Sequence, residues 1–211
     1  IKKISTIQNK AFELSLLLSI PASLGLVLAS EEIVSALFGY GSFTENDIEQ
    51  TSLALRYFGY GIPAFAILKV FANFFFARDN TMIPFKVSSI VVIINIAVSV
   101  LFFKQIGFII IPIATTLSAW IGIFCYLYLL LKIGYLKTDH EFLINSVKIV
   151  FSTTIMSYVF HNSLNYFAKN LSYSSDYKIL YLLFIVIFVA LLYFLICYFL
   201  KVLNLRNFKT N

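Results

Sequence analysis

The chain has 211 residues, of which 60% are hydrophobic, 18% aromatic and only 12% charged, with a mean hydropathy of +0.90. A soluble domain carries about 25% charged residues, so the composition excludes one and indicates an all-α, polytopic membrane protein. The net charge of +6 does not point to nucleic acid as a partner, because the basic residues flank apolar runs instead of forming a stripe on a polar face.

The sequence begins Ile-Lys-Lys without an initiator methionine, so the expectation is a portion of a longer protein. No signal peptide is expected, since mixed polar residues precede the first apolar run and no small-residue cleavage site follows it. A membrane span needs roughly 20 apolar residues, and six such stretches are present. The first covers about 11–29 and contains Pro21 and Gly25, which predict a kink. The second covers about 48–77, long enough to tilt, and carries Arg56, Gly59, Gly61, Pro63 and Lys69. The third, about 83–103, has Pro84 in its first turn, where a missing N–H does no harm. The remaining three cover about 107–131, 142–160 and 179–200.

Between the first two spans lies an acidic segment with Glu31, Glu32, Glu45, Asp47 and Glu49 and no base. Within it, apolar residues at 33, 34, 37 and 38 predict a short amphipathic helix at the interface. Thr44 followed by Asp47 predicts the start of the next helix, with Thr44 as its N-cap. The Lys and Arg residues in the loops and at the span ends divide unevenly between the two sides. Eleven of the sixteen in the chain fall on one side, among them Lys10, Arg78, Lys86, Lys132, Lys137, Lys148, Lys201, Arg206 and Lys209. Lys104, Lys169 and Lys178 fall on the other. Positive residues favour the cytoplasmic side, so both ends of this segment are expected there.

Charges and hydroxyls inside apolar spans are costly and need a reason. Arg56 has two readings: a side chain snorkelling to the headgroups, or an anion contact in a water-filled cavity. Lys69 faces either a bundle interior or cavity with a functional role, or a structural ion pair for which Glu13 is the candidate partner. Thirteen residues at 100° each separate Arg56 and Lys69 by roughly 140° around the helix, so they do not act from one face. Ser88, Asn95 and Ser99 form a polar stripe on the third span, and Thr115, Ser118 and Gly122 form one on the fourth. Such stripes serve either as close helix-packing faces or as a contact made of neutral oxygens. Pro21, Gly59, Gly61 and Pro63 are candidate hinge positions. Asn145, Lys148 and Ser152 share a face of the fifth span, and the sixth is apolar all round, as expected for a helix against lipid.

No catalytic constellation is evident, and no enzyme activity or cofactor is expected. Paired intramembrane carboxylates, glycine-rich phosphate loops and His/Cys clusters are all missing from the pattern. Cys125 and Cys197 sit in apolar runs and read as packing residues, while His140 and His161 stand alone at helix ends. Neither set predicts a metal.

Several residues together resemble the bacterial lipid II flippases, the MurJ (MviN) family of the multidrug/oligosaccharidyl-lipid/polysaccharide exporter superfamily. They are Pro21-Ala22 with Gly25, Ile33-Val34, Leu37-Phe38, Gly41-x-Phe43 with Asp47 and Thr51, Leu55-x-Tyr57, Gly61 and Lys69-Val70. The run Phe75-Phe76-Ala77-Arg78-Asp79-Asn80-Thr81 with Pro84 completes the set, and from Gly107 onward hydropathy and spacing carry the likeness. The resemblance implies the last six helices of a 14-helix transporter. Residues 1–134 would supply four helices of the C-terminal lobe, and residues 135–211 two helices that form a groove for a lipid tail. It implies an undecaprenyl-diphosphate-linked peptidoglycan precursor as substrate, carried outward across the bacterial cytoplasmic membrane by alternating access. Membrane lipid and the missing N-terminal lobe of the same protein are the implied partners. Some members bind sodium where Asn95 and Thr115 stand here, but Ser99 replaces the expected carboxylate, so no sodium site is expected from these residues alone. The alternatives are a related lipid-linked glycan flippase or drug/cation antiporter of the same superfamily, and, in another class, a non-transporting membrane scaffold subunit.

Overall fold

The computed structural model describes residues 2–134 and 139–202, with side chains from Ile7 onward. Lys137, Arg206 and Lys209, counted above toward the basic side, lie outside the described residues, as do the side chains of Lys2 and Lys3. Six long helices are present among the described residues: α1 (Lys2–Leu28), α3 (Glu45–Phe76), α4 (Met82–Ile106), α5 (Ile110–Ile133), α6 (His140–Tyr166) and α8 (Lys178–Phe199). Two short helices, α2 (Ser30–Phe38) and α7 (Ala168–Leu171), lie between them. By length and hydropathy alone, five stretches qualify as membrane spans. One of these, Met82–Ile133, is 52 residues long and consists of α4 and α5 joined by a three-residue 3-10 turn.

The ends of the helices follow from local chemistry. Thr44 is the N-cap of α3, with its hydroxyl accepting from the Asp47 N–H at 3.3 Å and its own N–H donating to the Asp47 carboxylate at 2.9 Å. A Thr44→Ala substitution should cost about 1 kcal/mol of local stability. The check is hydrogen exchange, which should quicken in the first turn of α3 and stay unchanged beyond it. At the other end, the Phe75 carbonyl accepts from the Arg78 and Asn80 N–H groups at 3.0 and 3.1 Å. Asp79 takes a left-handed conformation at φ 55°, which Asp tolerates better than most residues. The Arg78 guanidinium lies 3.5 Å over the Phe74 ring and donates to the Phe74 carbonyl, placing a cation at the negative end of α3. Asn80 then accepts from the Ile83 N–H at 3.2 Å and starts α4. The Ala-Arg-Asp-Asn-Thr sequence is thus a compact helix stop and restart.

Helix α2 buries Ser30, Val34, Ser35 and Ala36 against its neighbours and leaves Leu37 and Phe38 exposed. The apolar set read from the sequence therefore splits in two. Small residues permit close packing on α3 and α8, while the bulky pair turns outward.

Packing does not follow chain order. In space the long helices run α4, α5, α3, α1, α6, α8, with α2 crossing to both α3 and α8. Two apolar clusters result. One joins α1, α2, α6, α7 and α8 around Leu17, Ile149, Ile185 and Cys197. The other joins α1, α3, α4 and α5 around Phe71, Phe75, Val87 and Tyr126, where Tyr126 stacks on Phe71 and Phe75 at 5.5 and 5.7 Å. Helix α1 is the wall shared by both.

Candidate functional site

Two prolines interrupt α1 and α3 without ending either helix. Proline has no N–H, so the carbonyl four residues earlier loses its helical donor, and within a bilayer that carbonyl must find another. Pro63 frees the Gly59 carbonyl, which accepts from the Ser23 hydroxyl of α1 at 2.7 Å. Pro21 frees the Leu17 carbonyl, which accepts from the Tyr193 hydroxyl of α8 at 2.8 Å. Further carbonyls near the α3 break are also tied: Tyr57 accepts from Thr116 at 2.7 Å and Tyr60 from Trp120 at 3.1 Å, both on α5. The proline positions are therefore joints fastened from the side by neighbouring helices.

The glycines beside Pro63 make the fastening possible. A Cβ on Gly59 would lie 2.9 Å from the Val27 side chain of α1, and one on Gly61 would lie 2.8 Å from the Thr116 hydroxyl. Of the four candidate hinge residues, Gly59, Gly61 and Pro63 are brought together at the α1–α3–α5 crossing. Pro21 instead lines an apolar groove next to α8.

The two intramembrane cations occupy different surroundings. Arg56 donates from Nε to the Ser30 hydroxyl at 3.2 Å, tying α3 to the first turn of α2. It lies close enough to Glu32 to act on its charge, as does His161. Burial pushes the Glu32 carboxyl above its usual range and Glu31 adds to this, while its own backbone N–H, Arg56 and His161 pull it down. Glu32 also lines a cavity of about 730 Å³ with Glu31, Glu45, Asn46 and Glu49. Lys69 is exposed, seven residues from the C-terminal end of α3. Glu13 takes Asn145 of α6 as its hydrogen-bond partner. The ion pair of Glu13 with Lys69 considered from the sequence does not form among the described residues. Phe58, Phe65, Lys69, Asn73 and Phe76 are all exposed and share one face, because their spacing of seven, four, four and three keeps helical register. The opposite side of α3 packs against α1 and α5, although Tyr60 and the first turn of the helix are exposed as well.

The polar stripes meet in part. Asn95 donates to the Thr115 hydroxyl at 2.9 Å, Thr115 donates to the Ile111 carbonyl at 2.8 Å, and Ser118 donates to the Thr115 carbonyl at 3.0 Å. Asn95, Thr115 and Ser118 line a cleft of about 200 Å³ between α3, α4 and α5. Ser88 is exposed about 10 Å further along α4. Ser99 keeps a buried hydroxyl without a partner. A sodium ion needs several free oxygens and gains from a carboxylate. Here the Thr115 hydroxyl is already engaged on both sides and Ser99 supplies no charge, so the residues present do not fit that ion. Among the described residues no group of three His, Cys, Asp or Glu side chains converges on a point.

A groove of about 320 Å³ runs between α1, α6 and α8. Leu17, Leu18, Pro21, Met156, Val189 and Phe194 are among its walls, and the Tyr193 hydroxyl, its one polar group apart from backbone, is spent on Leu17. The groove offers shape and apolar surface without hydrogen bonds.

Sequence reasoning missed Ser23, Thr116, Trp120, Lys178 and Tyr193 as fastening residues. For Ser23 and Tyr193 a signal existed: a proline inside a span announces an orphan carbonyl, and a hydroxyl on a neighbouring helix is the simplest donor.

The profile of the family described as lipid II flippase MurJ matches residues 1–182, well past the last motif residue at Pro84. A Rickettsia prowazekii (strain Madrid E) protein named probable lipid II flippase MurJ is 30% identical over 210 residues, covering 95% of this chain and 40% of that protein. A Rhizobium tropici protein of the same name is 30% identical over 156 residues, 74% of this chain and 29% of that protein. Among solved structures, a lipid II flippase MurJ in an inward closed conformation superposes with a TM-score of 0.77 at 25% identity, over 95% of this chain and 40% of the other. The match thus covers only 29–40% of the length of these relatives. With the helix order, the proline joints and the Ala-Arg-Asp-Asn-Thr turn already in place, the match settles the kinship: the chain belongs to the MurJ lipid II flippase family.

Proposed function

We propose that the chain is the C-terminal part of a transporter that flips lipid-linked peptidoglycan precursor from the inner to the outer face of the bacterial cytoplasmic membrane by alternating access. Within it, α1 and α3–α5 form a lobe that lines the transport cavity, and α6 and α8 form the groove that seats the lipid chain. The observation that carries this reading is the exposed face of α3, where Lys69 stands in an apolar span with no carboxylate partner among the described residues. A cation in that position needs water or an anion, and the N-terminal lobe facing it across a hydrated cavity supplies the setting for both. A diphosphate headgroup suits the lysine, and the apolar groove suits the polyprenyl tail. Both ends of this segment face the cytoplasm, in keeping with the basic bias of that side. The Gly59–Pro63 joint, with Pro21 on α1, is where the lobe flexes. No covalent chemistry on the substrate is required.

The test is growth rescue. Cells depleted of their own lipid II flippase should regain growth when the complete protein is expressed. Rescue confined to cells lacking a different lipid-linked glycan flippase, with none in the first strain, would reject the assignment.

A further inference from the structure

Lys178 is 1% exposed, and among the described residues no carboxylate pairs with it. Its Nζ donates to the Gly39 carbonyl at 2.8 Å and to the Tyr173 carbonyl at 3.1 Å. The same ammonium lies 4.2 Å from the Tyr40 ring centroid and 5.0 Å from that of Tyr173. Tyr173 in turn donates from its hydroxyl to the Phe43 carbonyl at 2.9 Å, so the loop before α8 is strapped to the loop after α2. Gly39 leaves room for this, since a Cβ there would stand 3.0 Å from Nζ and 2.5 Å from the Ser35 carbonyl. A buried ammonium is costly unless its donors are satisfied, and carbonyl oxygens with aromatic faces satisfy it here. The cage holds the first residue of α8 against the C-terminal end of α2.

Fifteen residues later, Tyr193 makes the second attachment, on the Leu17 carbonyl that Pro21 frees. At 1.5 Å per residue the two attachments lie about 22 Å apart along α8. Val186, Val189 and Ala190, between them, form most of the α8 wall of the apolar groove, which Tyr193 and Phe194 complete. Both attachments use a carbonyl left over by the fold, one at the end of α2 and one at a proline. Helix α8 has no comparable packing on α3, α4 or α5.

We propose that Lys178 and Tyr193 are positioning residues that clip α8 to α2 and α1 at two points and so set the width of the groove that receives a polyprenyl chain. The clips also make α8 travel with α1 and α2 when the lobe moves. The proposal rests on the reading of the groove as the seat of the lipid chain.

The experiment uses the complete protein in phosphatidylethanolamine/phosphatidylglycerol bilayers, with genetically encoded spin labels that leave Cys125 and Cys197 in place. One label pair at Leu37 and Leu180 reports the outer end of α8, and one at Leu14 and Tyr198 reports the inner end. A polyprenyl diphosphate bearing a diazirine on its chain reports occupancy by crosslinking to Met156. Lys178→Met should broaden the outer distances and leave the inner ones as they are; Tyr193→Phe should do the reverse. Each should lower crosslinking by about fivefold, and Lys178→Arg should restore it, since Arg also donates to carbonyls and stacks on rings. Unchanged outer distances in Lys178→Met, or broadening of both pairs alike by either variant, would overturn the clips. An absence of crosslinking in the unsubstituted protein would instead reject the groove as the lipid seat, while the distances still decide whether the clips exist.

Discussion

Replacing Lys69 with alanine in the complete protein is expected to weaken binding of a diphosphate-bearing lipid by about tenfold or more, because a hydrogen bond to a charged group contributes roughly 1.5–3 kcal/mol. The exposed face of α3 gives the reason. Phe58, Phe65 and Phe76 flank the lysine on that face, and Glu13, its candidate partner from the sequence, hydrogen-bonds with Asn145 instead. Removing the charge should therefore leave packing and membrane delivery intact, and Lys69→Arg should retain most of the affinity. Binding measured on purified protein, with delivery checked on the same variant, separates the two effects. Unchanged affinity in Lys69→Ala would reduce the residue to a lysine reaching the inner headgroups.

Gly59→Leu is the substitution expected to damage the fold most. The position lies where α1 and α3 cross, and even a Cβ would come within 2.9 Å of the Val27 side chain and 3.4 Å of its backbone nitrogen. A full leucine must push the helices apart, and overpacking of this kind costs about 1–3 kcal/mol. The shift would also draw the Ser23 hydroxyl away from the Gly59 carbonyl, adding the cost of an orphan carbonyl in an apolar setting. Gly25→Ala on α1 is the control, because nothing stands within 4 Å of its Cβ. There the gain in helix propensity, about 1 kcal/mol, should leave stability equal or higher. Thermal unfolding of the complete protein in detergent distinguishes the two. Equal stability of Gly59→Leu and the unsubstituted protein would mean that the crossing is looser than its geometry indicates.

The sequence was most legible where one residue's chemistry decides the outcome locally. Apolar runs of span length became helices, since the bilayer leaves the backbone no other way to satisfy itself. Thr44 with Asp47, and Ala77 to Thr81, encode helix ends within a few residues, and the structure has them there. Interactions between distant segments were not legible. Lys178 counted as one more outer-loop charge, because nothing nearby reveals that Gly39 and Tyr40, well over a hundred residues earlier, will enclose it. Arg56 read equally well as a headgroup contact or a cavity residue until Ser30 appeared beside it. The proline positions read as candidate hinges, and only the neighbouring helices show that each freed carbonyl is held by a side-chain hydroxyl.

That last point reshapes the expected motion. In the transporter proposed above, a lobe held by the Ser23 and Tyr193 hydrogen bonds would flex as a connected unit, with α1 linking α3 to α8. Headgroup and tail would then be handled by parts that move together.

The most direct test of the transport reading is the accessibility of lipid II at the outer face of cells depleted of their own flippase and expressing the complete protein. An impermeant lipid II-degrading enzyme added outside should cleave the precursor to the extent seen in undepleted cells, and the Lys69→Ala variant should leave most of it protected. Precursor that stays protected with the unsubstituted protein, despite its delivery to the membrane, would contradict the account.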